Sequence, residues 1–139
     1  MKKLFLFCIC ALFLTSTHGQ TFQKGNVVSH HIGTVNLNPD VTYNQWKTFM
    51  LSEWIPALNK EFEGDCKIYF IEGERGHNKE SLGMFWVFKS IEARDKYWPE
   101  FQKSSEAWKT IFNKLQPLYQ RFTKLGEFKV DSSSGWIVL

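Results

Sequence analysis

Ser81–Trp98, SLGMFWVFKSIEARDKYW, is the stretch whose reading decides the fold of this chain. Leu82, Met84, Trp86 and Phe88 alternate with Phe85 and Val87, and that period of two marks a β-strand. The pattern breaks at Ser90. A serine followed two residues later by Glu92 reads as a helix N-cap with an acid in the positive first turn. A short helix follows, and Pro99 stops it. Working upstream, Cys66–Glu72 (CKIYFIE) is a second aromatic strand, and the loop Gly73–Glu80 (GERGHNKE) joins the two. Ile68 and Phe70 oppose Tyr69 and Ile71, so both strands carry large apolar groups on both parities. An antiparallel sheet with one wet face shows a polar parity. This sheet therefore predicts cover on both faces: its own helices on one side and, in so small a domain, a second copy of itself on the other.

Farther out, Asn26–Leu37 is rich in β-branched residues and reads as the first strand, with Gly33 marking a bulge or a close backbone approach. Asn38-Pro39-Asp40 turns the chain. Thr42 and Gln45 have the spacing of a capping box. The helix they open carries Trp46, Met50, Leu51, Trp54, Ile55, Leu58 and Phe62 over roughly half its circumference. That arc is wider than one sheet face needs and predicts contact with a second helix or subunit. Pro56 predicts a kink that frees the Ser52 carbonyl, and Gly64 closes the helix. Ser104 or Ser105 caps a third helix, whose apolar period runs from Trp108 to Leu125 with a bend at Pro117. Glu127–Val130 and Trp136–Leu139 are strand-like and flank a turn-rich break, so one bulged strand and a terminal hairpin both fit. The order β-α-β-β-α-α-β is an α+β chain on the ferredoxin-like βαββαβ plan, with an antiparallel sheet and a split second helical region.

The first residues read as a targeting signal. Lys2 and Lys3 precede the apolar run Leu4–Leu14, which is too short to span a bilayer as a helix. Thr17-His18-Gly19 then offers a cleavage site, so residues 1–19 are expected to be removed and residues 20–139 to form one domain, exported to a periplasm or secreted. The chain has 17 Lys and Arg against 14 Asp and Glu, and without Lys2 and Lys3 it is close to neutral. That argues against nucleic acid or an anionic membrane surface as the main partner, because both need a basic patch. Only Cys66 of the three cysteines lies outside the signal, so no internal disulfide is possible. Its place at the head of an apolar strand predicts a small buried hydrophobe.

With these elements in place, the chain resembles the dimeric α/β-barrel superfamily, which includes antibiotic-biosynthesis-type monooxygenase, EthD and NIPSNAP-like domains and haem-degrading relatives. Three places carry the resemblance: the first strand running into NLNPDVTYNQW, the segment EWIPALNKEF (Glu53–Phe62), and GERG with SLGMFWVFKSIEARDKYWPE. None is a catalytic signature, and fold analogy alone sets no reaction. The resemblance implies a homodimer with sheets packed face to face, and a pocket between sheet and helices in each subunit.

The residue types then suggest a site. His30 and His31 are adjacent in a strand, so they point to opposite faces and cannot chelate one metal together. One of the pair lines the pocket as a proton shuttle or, by the resemblance, an axial haem ligand, or else one is a surface and the other a hydrogen-bonded core histidine; for the catalytic role His30 is favoured, since it shares parity with Val28 and Ile32. Arg75 and His77, with Glu72, Glu74 and Glu80, read either as a polar rim for an anionic ligand group or as a solvated loop tip; no metal is predicted. Trp54, Tyr69, Trp86 and Trp98 are candidate walls for a flat ligand, with Trp86 first because it sits at mid-strand. The leading expectation is an exported homodimer that binds a small apolar or aromatic ligand in an aromatic-lined pocket, with no cofactor predicted. A cofactor-independent monooxygenase or haem-modifying enzyme is the second, and a structural or interaction domain with a filled core the third.

Overall fold

A computed structural model describes residues 22–100 and 103–139, so the expected signal, residues 1–19, lies outside the described residues. The strands are β1 (Val27–Leu37), β2 (Cys66–Glu72), β3 (Leu82–Phe88) and β4 (Gly126–Ile137). The helices are α1 (Tyr43–Phe49), α2 (Ile55–Glu61), α3 (Ile91–Asp95), α4 (Glu106–Lys114) and α5 (Gln116–Leu125). One four-stranded sheet has the order β2-β3-β1-β4, and each neighbouring pair is antiparallel. The helical connections run from β1 to β2 and from β3 to β4, which is the ferredoxin-like α+β plan read from the sequence. No helix among the described residues is long and apolar enough to cross a membrane.

Register decides which side chains meet. Val27, Ser29 and His31 on β1 stand opposite Phe88, Trp86 and Met84 on β3, which stand opposite Cys66, Ile68 and Phe70 on β2. That face packs under the helices: Val27, Cys66, Ile68 and Phe88 join Trp46, Phe49, Met50, Leu58 and Phe62 in one buried core. The other parity is Val28, His30 and Ile32, then Val87, Phe85 and Gly83, then Lys67, Tyr69 and Ile71. Val28 and Val87 on this second face are buried, whereas Tyr69 and Ile71 are each 38% exposed and Trp136 is 62% exposed. This second face, which none of the described helices covers, therefore carries an apolar strip.

The capping box at Thr42 is present. The Gln45 amide N–H donates to Thr42 Oγ1 at 3.3 Å, and the Thr42 amide N–H donates to Gln45 Oε1 at 2.8 Å. Pro56 does not simply kink the helix. Met50–Trp54 widens into a π-helical turn between α1 and α2, and the Ile55 N–H reaches the Met50 carbonyl, five residues back. The wider turn takes up the proline, which cannot donate to Ser52. The rest of the broad apolar arc meets α5, where Trp54 stacks on Phe122 with centroids 5.6 Å apart. The second helical region divides more than the sequence suggested. The α3 helix ends at Asp95, Leu115 breaks the third helix at φ −90° and ψ 1°, and Pro117 enters the first turn of α5, where no donor is needed.

The open question at the C-terminus resolves as one bulged strand. The β1–β4 register slips between Ile32 and Gly33: Ile32 pairs with Ser132, Gly33 pairs with Val130, and Asp131 is the extra residue. A Cβ on Gly33 would lie 1.9 Å from the Lys129 carbonyl oxygen, so only glycine fits beside the bulge.

One polar cluster fastens the end of the sheet. Asp65, just before β2, accepts from Lys96 Nζ at 2.7 Å and from Tyr97 Oη at 3.0 Å, and pairs with Lys89. These partners, led by Lys89, hold its carboxyl down to about 2. Asp65 thereby ties the start of β2 to the end of β3 and to the Tyr97-Trp98 turn. Cys66 beside it is buried, as its strand position predicted, and burial pushes its thiol well above the ordinary range.

Candidate functional site

Trp86 lies at the middle of β3 on the helix side, opposite Ser29 of β1 and Ile68 of β2. Two more tryptophans arrive from the helical layer. Asp65 holds the turn that carries Trp98. Ser105 caps α4 by accepting from the Trp108 N–H at 3.3 Å, and its own hydroxyl donates to the Lys96 carbonyl at 2.6 Å. That double use of Ser105 folds α4 back on α3 and sets Trp108 beside Trp98.

The three rings touch one another. Trp86 and Trp98 have centroids 5.6 Å apart at 83°, Trp98 and Trp108 are 4.8 Å apart at 40°, and Trp86 and Trp108 are 6.5 Å apart at 61°. At those separations the rings are in van der Waals contact, so nothing slides between them. They form a wall, extended by Met84, Phe88 and Pro99, on a cavity of roughly 700 Å³. The Trp86 Nε1 is enclosed with no hydrogen-bond acceptor among the described residues, while Trp98, Phe62 and His31 meet that ring edge-on. Aromatic faces are weak acceptors for such an N–H.

The rest of the lining comes from β1, β4 and the α3 region: Ser29, His31, Val130, Ser133, Ser134, Gly135, Arg94 and Glu100. The sequence reading placed His30 in the pocket, and the structure corrects it to His31. His31 pairs with Met84 and so shares the helix-side parity of Trp86, while His30 pairs with Phe85 on the opposite face. Its ring stacks on Phe85 at 6.5 Å and its Nε2 lies 2.8 Å from Ser134 Oγ. The parity was right for both residues. Apolar neighbours on both faces concealed which face the helices cover.

His31 Nδ1 is 2.9 Å from Ser133 Oγ, and its Nε2 has no hydrogen-bond partner among the described residues. Burial, and then the neighbouring His30, hold the His31 imidazole below its usual range, so it is uncharged at neutral pH. The two charged lining residues have opposite signs, and each has a nearby partner. Arg94 pairs with Asp95 at 2.6 Å and Glu100 with Lys103 at 2.5 Å.

The other sequence candidates lie elsewhere. Trp54 is in the core between the α1–α2 helix and α5, against Phe122 and Tyr119. Tyr69 stands on the second face of the sheet, opposite the described helices. Arg75 and His77 are exposed on the β2–β3 loop, where Arg75 Nε pairs with Glu74 at 2.5 Å, and neither lines the cavity. The loop leaves the sheet at the start of β3, whereas the cavity lies towards its end. A second concavity of about 660 Å³ near the loop is lined by Tyr43, Glu72, Glu74 and Glu80. There Lys47 and Tyr43 both bond to Glu72, and burial and Glu72 push Tyr43 up to about 12. Among the described residues, no three His, Cys, Asp or Glu side chains are grouped to hold a metal ion. Sequence reasoning missed His31, Trp108, Arg94 and the β4 serines as site residues. The only local signal for Trp108 was the serine cap three residues before it.

No family model and no curated protein matches the chain. Several solved structures are similar to it, two of which follow. One is a NIPSNAP family protein from Agrobacterium tumefaciens, 15% identical, with a TM-score of 0.46, covering 82% of this chain and 91% of that one. The other is an uncharacterized NIPSNAP-like domain protein from Burkholderia xenovorans, 14% identical, with a TM-score of 0.46, covering 84% of this chain and 86% of that one. Both bear the NIPSNAP name that the sequence resemblance includes, and the fold class rests on this chain's own strand order, β2-β3-β1-β4.

Proposed function

We propose that the chain is an exported binding module that holds a small, flat apolar or aromatic molecule against the Trp86–Trp98–Trp108 wall. The observation that carries this reading is the wall itself: three contacting indoles border a cavity of roughly 700 Å³. A cavity of that size with apolar walls and a few polar groups suits a drug-sized ligand. Pairing with a second copy belongs to the same reading. The face bearing Ile71, Phe85 and Trp136 is covered by no helix among the described residues, and a partner sheet would bury it. Titration with N-phenyl-1-naphthylamine tests the pocket. Saturable enhancement of the dye's fluorescence, weakened by Trp98→Ala and kept by Tyr69→Ala, supports it. No saturable enhancement in the parent chain refutes it.

An enzyme is the second reading, favoured by one observation: the cavity-lining His31 has Nδ1 anchored on Ser133 and Nε2 without a hydrogen-bond partner among the described residues, and burial disfavours its charged form. A general base needs that combination within reach of an acidic ligand hydrogen. The residues present do not fit haem. Its two propionates would meet one arginine already paired with Asp95, and a glutamate.

A further inference from the structure

We infer that the cavity selects uncharged aromatic molecules that carry one hydroxyl or carbonyl oxygen, a conclusion that rests on the binding reading above and adds the ligand's charge and polarity. Arg94 and Glu100, the charged lining residues, are opposite in sign and paired with Asp95 and Lys103. His31 adds no charge at neutral pH, and Ser29 and Ser133 are neutral. An ion entering this space loses hydration and meets no net counter-charge, which disfavours carboxylates and ammonium groups alike. The β1–β4 side nevertheless makes a hydrogen-bond demand. Ser133 occupies His31 Nδ1, leaving Nε2 for the ligand.

The Ser133 hydroxyl can donate to Nδ1 or accept from it. The imidazole therefore presents Nε2 as acceptor or donor, matching a ligand hydroxyl or carbonyl. A hydrocarbon of the same shape offers this nitrogen no partner and displaces water from beside it, the kind of mismatch that polar sites penalise. The indole wall takes the apolar body in either case. Charge and polarity are thus read on one side of the cavity, and flatness on the other.

Four probes with one ring system test this by equilibrium dialysis of the purified chain at neutral pH: 2-naphthol, naphthalene, 2-naphthoate and 2-naphthylmethylammonium. Naphthol is expected to bind roughly tenfold or more tightly than either ion, and several-fold more tightly than naphthalene. The His31→Phe variant, checked for native circular dichroism, is expected to bring naphthol down to the affinity of naphthalene while leaving naphthalene unchanged. If His31→Phe does not fold, Ser133→Ala serves in its place, expected to narrow the same gap. An ion that binds as tightly as naphthol overturns the charge selection and leaves the pocket standing. Equal affinities for naphthol and naphthalene overturn the role of His31. Failure of all four probes to bind overturns this inference together with the pocket.

Discussion

Replacing Asp65 by asparagine should loosen the end of the sheet by an amount that depends on pH in a defined way. The carboxylate receives two lysines and a buried tyrosine hydroxyl, and its own side chain is only 10% exposed. Lys89 and Lys96 are 63% and 52% exposed, so each ion pair is worth about 0.2–1 kcal/mol. The Tyr97 bond adds about 1 kcal/mol. The total is about 2 kcal/mol. Acidity gives an independent check. Depressing a carboxyl from 3.8 to about 2 corresponds to on the order of 2 kcal/mol before screening, and the half-exposed lysines reduce that to about 1–2 kcal/mol. Because the folded-state value lies below the unfolded one, the stabilisation is complete above about pH 4 and drains away as pH falls towards 2. Urea unfolding of both proteins across that range is the assay. A gap of about 1–2 kcal/mol at neutral pH that closes on acidification is expected. A gap that persists at the acid end, or is absent at neutral pH, refutes the role given to Asp65.

Other substitutions probe other parts of the account. Gly33→Ala forces a Cβ against the Lys129 carbonyl and should cost about 2 kcal/mol or more, or prevent folding, measured by thermal unfolding. Thr42→Ala removes the capping box and should cost about 1 kcal/mol in the same assay. Since His31 is held below its usual range, its contribution to stability is full above the unfolded value of 6.5 and is lost as pH falls below it; a His31→Gln variant should lack that component in a pH series of urea melts. Ile71→Glu and Phe85→Glu place charge on the face opposite the described helices. Sedimentation velocity should show the parent chain as a dimer and both variants as monomers, and a monomeric parent would refute the self-pairing proposal.

The strand–turn–helix sequence at Ser81–Trp98, the capping box and the close approach at Gly33 were legible because each is a local pattern with one physical solution. Pro56 was legible as a defect but not as a π-helical turn, because the chain can meet a missing donor by bending or by widening. The division at Leu115 was placed near Pro117 for the same reason, one step from the residue that yields. The site was harder to read. Alternation assigned His30 and His31 to opposite faces, yet Val28 and Ile32 beside one and Val27 and Trp86 around the other look equally apolar. Only the packing of the helices against Val27, Ile68 and Phe88 shows which parity lies under them. Trp108 was legible as a helical residue, but its neighbours depend on Ser105 tying α4 to α3, a contact between elements that no periodicity records.

The six tryptophans offer the most direct test of the binding account, since each indole N–H gives its own signal in a ¹⁵N correlation spectrum. On addition of 2-naphthol the signals of Trp86, Trp98 and Trp108 should move together and saturate at one equivalent per chain, while Trp46, Trp54 and Trp136 stay in place. Movement confined to Trp136, or no movement at the three-ring wall, would contradict the account.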